Sequence, residues 1–123
     1  MPDEMMIVVA HGSRNPEWRT AVERQVRRAA SEPGDHSIRL AFMELSPPSL
    51  MDVAREAVQN GITRIAVLPL FLADQGHVAK DVVPLVEEVR NAFDGLEVRT
   101  LPSMGQQPQF PAMLRSIADQ ELS

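Results

Sequence analysis

The amino-acid sequence predicts a three-layer, flavodoxin-like α/β domain, a four-stranded parallel sheet of order 2-1-3-4 with helices on both faces. Three observations carry this reading. Short apolar runs alternate with helix-period segments to give β-α-β-α-β-α-β-α. The first run is apolar throughout, as in strands covered on both faces. The 123 residues, 44% of them hydrophobic, suit one domain over 1–123 with a real core.

Met5–Ala10 (MMIVVA) is the first strand. Asn15-Pro16-Glu17 supplies an N-cap, a proline at the first helical position and an early acid, so a helix is expected from Pro16 to about Ala30. Its apolar positions Trp18, Ala21, Val22, Val26, Ala29 and Ala30 fall near a 3.6 period. Turn chemistry at Glu32–Asp35 ends it. Ile38–Leu45 (IRLAFMEL) is the second strand, stopped by Ser46-Pro47-Pro48, where a helix running to about Gln59 starts. Asn60-Gly61 reads as its C-cap. Arg64–Leu70 (RIAVLPL) is the third strand, and Pro69 marks its end, because a proline inside a central strand forfeits a ladder bond. Phe71–Lys80 is irregular. Asp81 and Pro84 open the next helix, with Asp81 as its N-cap, and Asp94-Gly95 closes it after Phe93. Leu96–Leu101 is the fourth strand and Phe110–Gln120 the last helix.

Composition narrows the chemistry. A net charge of −5 argues against duplex nucleic acid, whose phosphates call for a basic footprint. No cysteine is present, which excludes disulfides, iron–sulfur ligation and thiolate zinc sites. Any metal must therefore meet imidazole, carboxylate or water. No apolar run approaches the ~20 residues of a membrane span. Met1–Glu4 is too short and too acidic for a secretory signal. A soluble cytoplasmic protein with no membrane partner is expected.

In the order 2-1-3-4 the first helix lies on one face and the second and third on the other, because parallel crossovers are right-handed. The loops after strands 1 and 3 then leave in opposite directions, and a crevice opens between them at the switch point. Three residues that carry chemistry fall there: His11 in AHGSRN, His77 in LADQGHVAKD and Glu44 in AFMELSPP. His36, in the turn before strand 2, reads as a surface residue. Gly12 and Gly76 each adjoin one of the two histidines and permit close backbone approach. Ser13 and Arg14 sit at the entry to the first helix, whose free N–H groups favour anions.

Other folds of this outline lack their signatures. There is no P-loop and no Rossmann glycine fingerprint. A receiver domain would end a central strand in aspartate. A histidine phosphatase would show Arg-His-Gly, whereas Ala10 precedes His11 here.

IVVAHGSRNP, AFMELSPPSL, NGITRIAVLPLFL and GHVAKDV together resemble the small CbiX-type sirohydrochlorin cobaltochelatases, of the class II chelatases, in order and spacing along nearly the whole chain. The resemblance implies a chelatase-like fold and insertion of Co²⁺, or alternatively Fe²⁺ or Ni²⁺, into sirohydrochlorin or a close relative. By it, His11 and His77 correspond to the active-site histidines, and Glu44 is similar in placement to an acidic residue of larger members. Gln75 stands where the family often has glycine. The resemblance also implies a homodimer, since larger class II chelatases set two such domains around one cleft.

Metalation requires two pyrrolic protons to leave and a hydrated ion to exchange its ligands. A neutral imidazole can coordinate the ion or take a proton. Two histidines, with Glu44, divide that work, and the sequence does not say which does which. No cofactor is needed beyond the divalent metal that is itself a substrate. Ser13, Arg14, Gly12 and Gly76 are the expected contacts for the polycarboxylate macrocycle. Met43, Leu45, Phe71 and Leu72 are each first read as core, with apolar cover as the second reading. The alternative function is a non-catalytic module that binds metal or tetrapyrrole and delivers it to a partner.

Overall fold

A computed structural model describes residues 3–31, 37–73, 76 and 78–122. The four strands are β1 (Glu4–Ala10), β2 (Ser37–Phe42), β3 (Arg64–Pro69) and β4 (Glu97–Thr100). The helices are α1 (Pro16–Ser31), α2 (Leu50–Gln59), α3 (Val83–Ala92) and α4 (Gln109–Glu121), with a π-helical turn at Val78–Val82 and a 3₁₀ turn at Met104–Gln106. The sheet is parallel throughout, in the expected order β2-β1-β3-β4.

Register fixes which residues share a face. Val9 pairs with Ala41 and Pro69, and Ile7 pairs with Val67. Ile7, Val9, Ala41 and Val67 meet Val53, Ala54 and Ala57 of α2 and Val86 and Val89 of α3 in one buried cluster. Full burial of a valine or isoleucine is worth about 1.5–3 kcal/mol, so this face holds most of the apolar stabilisation. The opposite face carries α1 over β2, with the Trp18 ring 6.3 Å from that of Phe42. The expected stripe of α1 therefore faces the sheet, yet no residue of α1 is fully buried.

Local chemistry explains most boundaries. The Asn15 carboxamide oxygen accepts from the Glu17 N–H, capping α1 as expected. The second strand stops at Phe42 rather than Leu45. After one more ladder bond, from the Met43 N–H to the Ala10 carbonyl (2.9 Å), the chain bends through Leu45 at φ 68°. The second helix starts at Leu50, later than Ser46-Pro47-Pro48 suggested. Ser49 is its N-cap and exchanges bonds with Asp52 in a capping box. That bond from the Ser49 N–H holds the Asp52 carboxyl below its ordinary value. Pro69 ends the third strand as expected. Asp81 is not the N-cap of α3: it lies inside the π-helical turn, and Val82 occupies the capping position. Among the described residues no helix is long and apolar enough to cross a membrane.

Candidate functional site

β1 ends at Ala10, and His11 begins the coil that leads to α1. The bend after β2 returns the chain to this point. His11 Nδ1 lies 3.2 Å from Glu44 Oε1, and the Gly12 N–H donates to the same oxygen at 3.1 Å. The two side chains are half exposed, at 50% and 43%. Glu44 Oε1 already accepts from the Gly12 N–H, and the His11 tautomer with hydrogen on Nδ1 completes a second bond to it. Nε2 then keeps its lone pair for a cation or a proton. The Phe71 ring, which follows β3, packs against the imidazole with centroids 5.3 Å apart, limiting its rotation.

Gly12 is what lets these loops meet. A Cβ there would stand 1.7 Å from the Glu44 carbonyl oxygen and 3.0 Å from the Ser46 nitrogen. The close approach inferred for Gly12 from sequence is thus a real contact, made with the protein's own backbone. Ser46 fastens it. Its buried hydroxyl accepts from the Ser13 N–H at 3.2 Å and donates to the Ser13 carbonyl at 2.9 Å. Sequence reasoning missed Ser46. The only signal was a small polar residue before Pro47-Pro48, which also suits an ordinary turn.

The remaining expected site residues divide. The Ser13 hydroxyl accepts from the Asn15 N–H at 3.0 Å, so it shapes the loop while its own hydrogen remains to donate. Arg14 is exposed at the same loop. Gly76 adopts φ 83°, a conformation glycine favours, and its carbonyl accepts from the Lys80 N–H at the start of the π-helical turn. His77, like His36 and Gln75, lies outside the described residues. Among the described residues no cluster of three or more histidine, aspartate or glutamate side chains could hold a metal ion. The described part of the centre is therefore one imidazole–carboxylate pair.

Leu45 and Leu72 correct the first reading of them as core. They are 60% and 63% exposed, whereas Phe71 is buried and Met43 half-buried. Leu45 adjoins Glu44, and Leu72 adjoins Phe71. An apolar rim beside a polar pair suits a flat ligand with an apolar face and a polar centre.

Comparison with known proteins places this geometry in a family. The family model described as CbiX matches residues 5–121. The sirohydrochlorin cobaltochelatase of Methanopyrus kandleri is 35% identical over 78 residues, covering 63% of this chain and 54% of its own length. A crystal structure of a CbiX protein of cobalamin biosynthesis from Marinobacter aquaeolei superposes with a TM-score of 0.83 at 28% identity, over 97% of both chains. The sirohydrochlorin chelatase SirB of Bacillus subtilis, solved in complex with cobalt, shares the fold with a TM-score of 0.80 at 19% identity. That match covers 96% of this chain and 51% of SirB. The chain thus spans about half the length of the first curated relative and half of SirB.

Proposed function

The chain belongs to the CbiX family, and on that premise we propose that it is an ATP-independent chelatase inserting a divalent metal, Co²⁺ first, into sirohydrochlorin or a close relative. The observation that carries this reading is the His11–Glu44 pair, with Gly12, at the carboxyl edge of β1 where the chain crosses between faces.

The chemistry balances without redox. The free macrocycle and M²⁺ give the metallated macrocycle and two protons. Glu44 orients His11 and offsets the charge of an incoming cation. Nε2 of His11 binds the ion or accepts a pyrrolic proton. His77, adjacent in sequence to Gly76, is assigned the complementary half of that work. The exposed Leu45 and Leu72 are assigned to the macrocycle face. Ser13, Arg14 and the entry to α1 are assigned to its carboxylates. The reaction is placed in the cytoplasm. The chain is read as a single domain over 1–123, supplying one lobe, with a second copy supplying the other as a homodimer. The half coverage of SirB supports that reading.

Anaerobic incubation with sirohydrochlorin and Co²⁺, Fe²⁺ or Ni²⁺, followed by absorbance, tests it. Insertion above the rate without protein, fastest with Co²⁺, is the expected result. Tight binding of the tetrapyrrole with no acceleration for any of the three metals would overturn it in favour of a delivery module.

A further inference from the structure

Glycine serves two purposes among the described residues. Gly61, Gly76 and Gly95 turn the backbone at positive φ, with open space where a side chain would stand. At Gly12 and Gly105 that space is instead taken by the backbone of another loop. A Cβ on Gly105 would lie 1.7 Å from the Leu72 carbonyl oxygen and 2.7 Å from the Leu72 Cα. The Gly105 N–H also donates to the Phe71 carbonyl at 2.9 Å. The turn after β4 is therefore clasped to the loop after β3, as the loop after β1 is clasped to the bend after β2. Both clasps end beside a group that touches His11: Gly12 at Glu44, and Gly105 at Phe71.

Phe71 joins the core to the site. The Leu70 N–H still donates to the Val9 carbonyl at 2.8 Å, so Phe71 emerges beside the end of β1, where the His11 loop begins. Phe71 is buried in the cluster that includes Val9, Val67 and Val82. Its ring centroid also lies 5.3 Å from that of the imidazole, with the planes tilted by 46°, within the range of a packed aromatic pair. His11 is itself half exposed, and its bond to Glu44 holds Nδ1 alone. A ring held by one hydrogen bond can pivot about it, and packing against a second ring removes that freedom. The turn behind Phe71 is well fastened. The Leu101 N–H donates to the Val67 carbonyl at 2.8 Å, Ser103 is fully buried with its N–H on Gln106 Oε1 at 3.2 Å, and the Gln107 side-chain amide donates to the Pro102 carbonyl at 2.7 Å.

We propose that Phe71 and Gly105 are positioning residues: the turn at Gly105 fixes the backbone of Phe71 and Leu72, and the Phe71 ring holds the His11 imidazole so that Nε2 stays available to an incoming cation. This rests on the metal-handling role given to His11 above. It also links the two ends of the site, because Leu72, against whose backbone Gly105 sits, is the residue assigned to the macrocycle face. Groups that orient a metal ligand without touching the ion change affinity or activity by about 10–100-fold.

The test uses the full chain and Co²⁺ alone. Phe71→Leu keeps an apolar side chain in the cluster but no ring, whereas Phe71→Tyr keeps the ring. Titrated anaerobically, Co²⁺ should bind Phe71→Leu about 10-fold or more weakly than wild type, and Phe71→Tyr should restore binding. The second readout is the ¹⁵N spectrum of labelled histidine, recorded above the titration range of an ordinary imidazole. His11, assigned by its loss in His11→Ala, should show the Nδ1–H tautomer in wild type and Phe71→Tyr, and a mixture of tautomers in Phe71→Leu. Gly105→Ala should weaken Co²⁺ binding in the same way. Combined with Phe71→Leu it should lose less than the product of the two single losses, because both act through one ring. Losses that multiply would overturn the role of Gly105. A Phe71→Leu variant that melts lower yet binds Co²⁺ and holds the tautomer as wild type does would make Phe71 a core residue only and overturn its role. Neither readout needs the tetrapyrrole, so a wild type that fails to insert metal overturns the chelatase reading and leaves the tautomer to decide this one.

Discussion

Gly12→Ala is the substitution that bears most directly on how the centre is held. The new methyl carbon would sit 1.7 Å from the Glu44 carbonyl oxygen and 2.9 Å from the Glu44 carbonyl carbon. Ordinary contact between such atoms begins at about 3.5 Å, so the two loops must part by roughly 1.8 Å. Neither loop yields freely. The bend is tied to β1 through the Met43 N–H, and Ser46 is bonded to Ser13 in both directions. Overfilling a contact of this kind destabilises by about 1–3 kcal/mol. In a chain of this size that lowers the melting temperature by roughly 4–12 °C. The same separation breaks the bonds from Gly12 and His11 to Glu44. A misplacement of about 1 Å at a reacting group lowers rates by ~100-fold. Circular dichroism melts and anaerobic metal-insertion rates read the two effects. Gly61→Ala is the control. Its φ of 85° makes alanine strained, but no atom lies within 4 Å of the added carbon. It should lose about 1 kcal/mol of stability and no activity. A Gly12→Ala variant with wild-type melting and wild-type rate would refute the reasoning.

Glu44→Gln keeps an acceptor for the Gly12 N–H and removes the charge beside His11, so insertion should slow by about 10–100-fold with little change in melting. Ser46→Ala strips the Ser13 N–H of its acceptor and should lose about 1–2 kcal/mol in urea unfolding. Ser49→Ala removes the side-chain cap of α2 and should lose ~1 kcal/mol by the same measurement. Acid should destabilise the fold through three carboxyls held below their ordinary values: Asp3 by Thr63, Asp52 by Ser49 and Glu56 by Arg39. Because these groups bind fewer protons folded than unfolded, their contribution is complete above the ordinary values of 3.8 and 4.5 and is lost as pH falls below them. Urea midpoints should be flat down to about pH 5.5 and then decline, and a midpoint that rises on acidification would contradict the assignment.

The sheet was legible because its signals are local. MMIVVA, RIAVLPL and the Asn60-Gly61 stop each state their own structure, and the handedness of crossovers supplies the strand order. The bend at Met43–Pro48 was not legible. IRLAFMEL has the composition of one continuous strand, and only contact with Ala10, Gly12 and Ser13, more than thirty residues away in sequence, turns its end aside. Glu44 was therefore singled out as a strand-end carboxylate, whereas it lies in the loop after β2. Asp81 looked like an N-cap because Asp followed by Pro84 is a common start. The π-helical turn is invisible to a 3.6-residue period and moves that start two residues on, to Val83. Phe110–Gln120 was legible as the last helix, and the structure has it at Gln109–Glu121.

The most direct test of the central claim is the initial rate of anaerobic Co²⁺ insertion into sirohydrochlorin by wild type, His11→Ala and His77→Ala at equal folded concentration. The account predicts that each variant stays folded and loses about 100-fold or more in rate. Wild-type rates in both variants would contradict it.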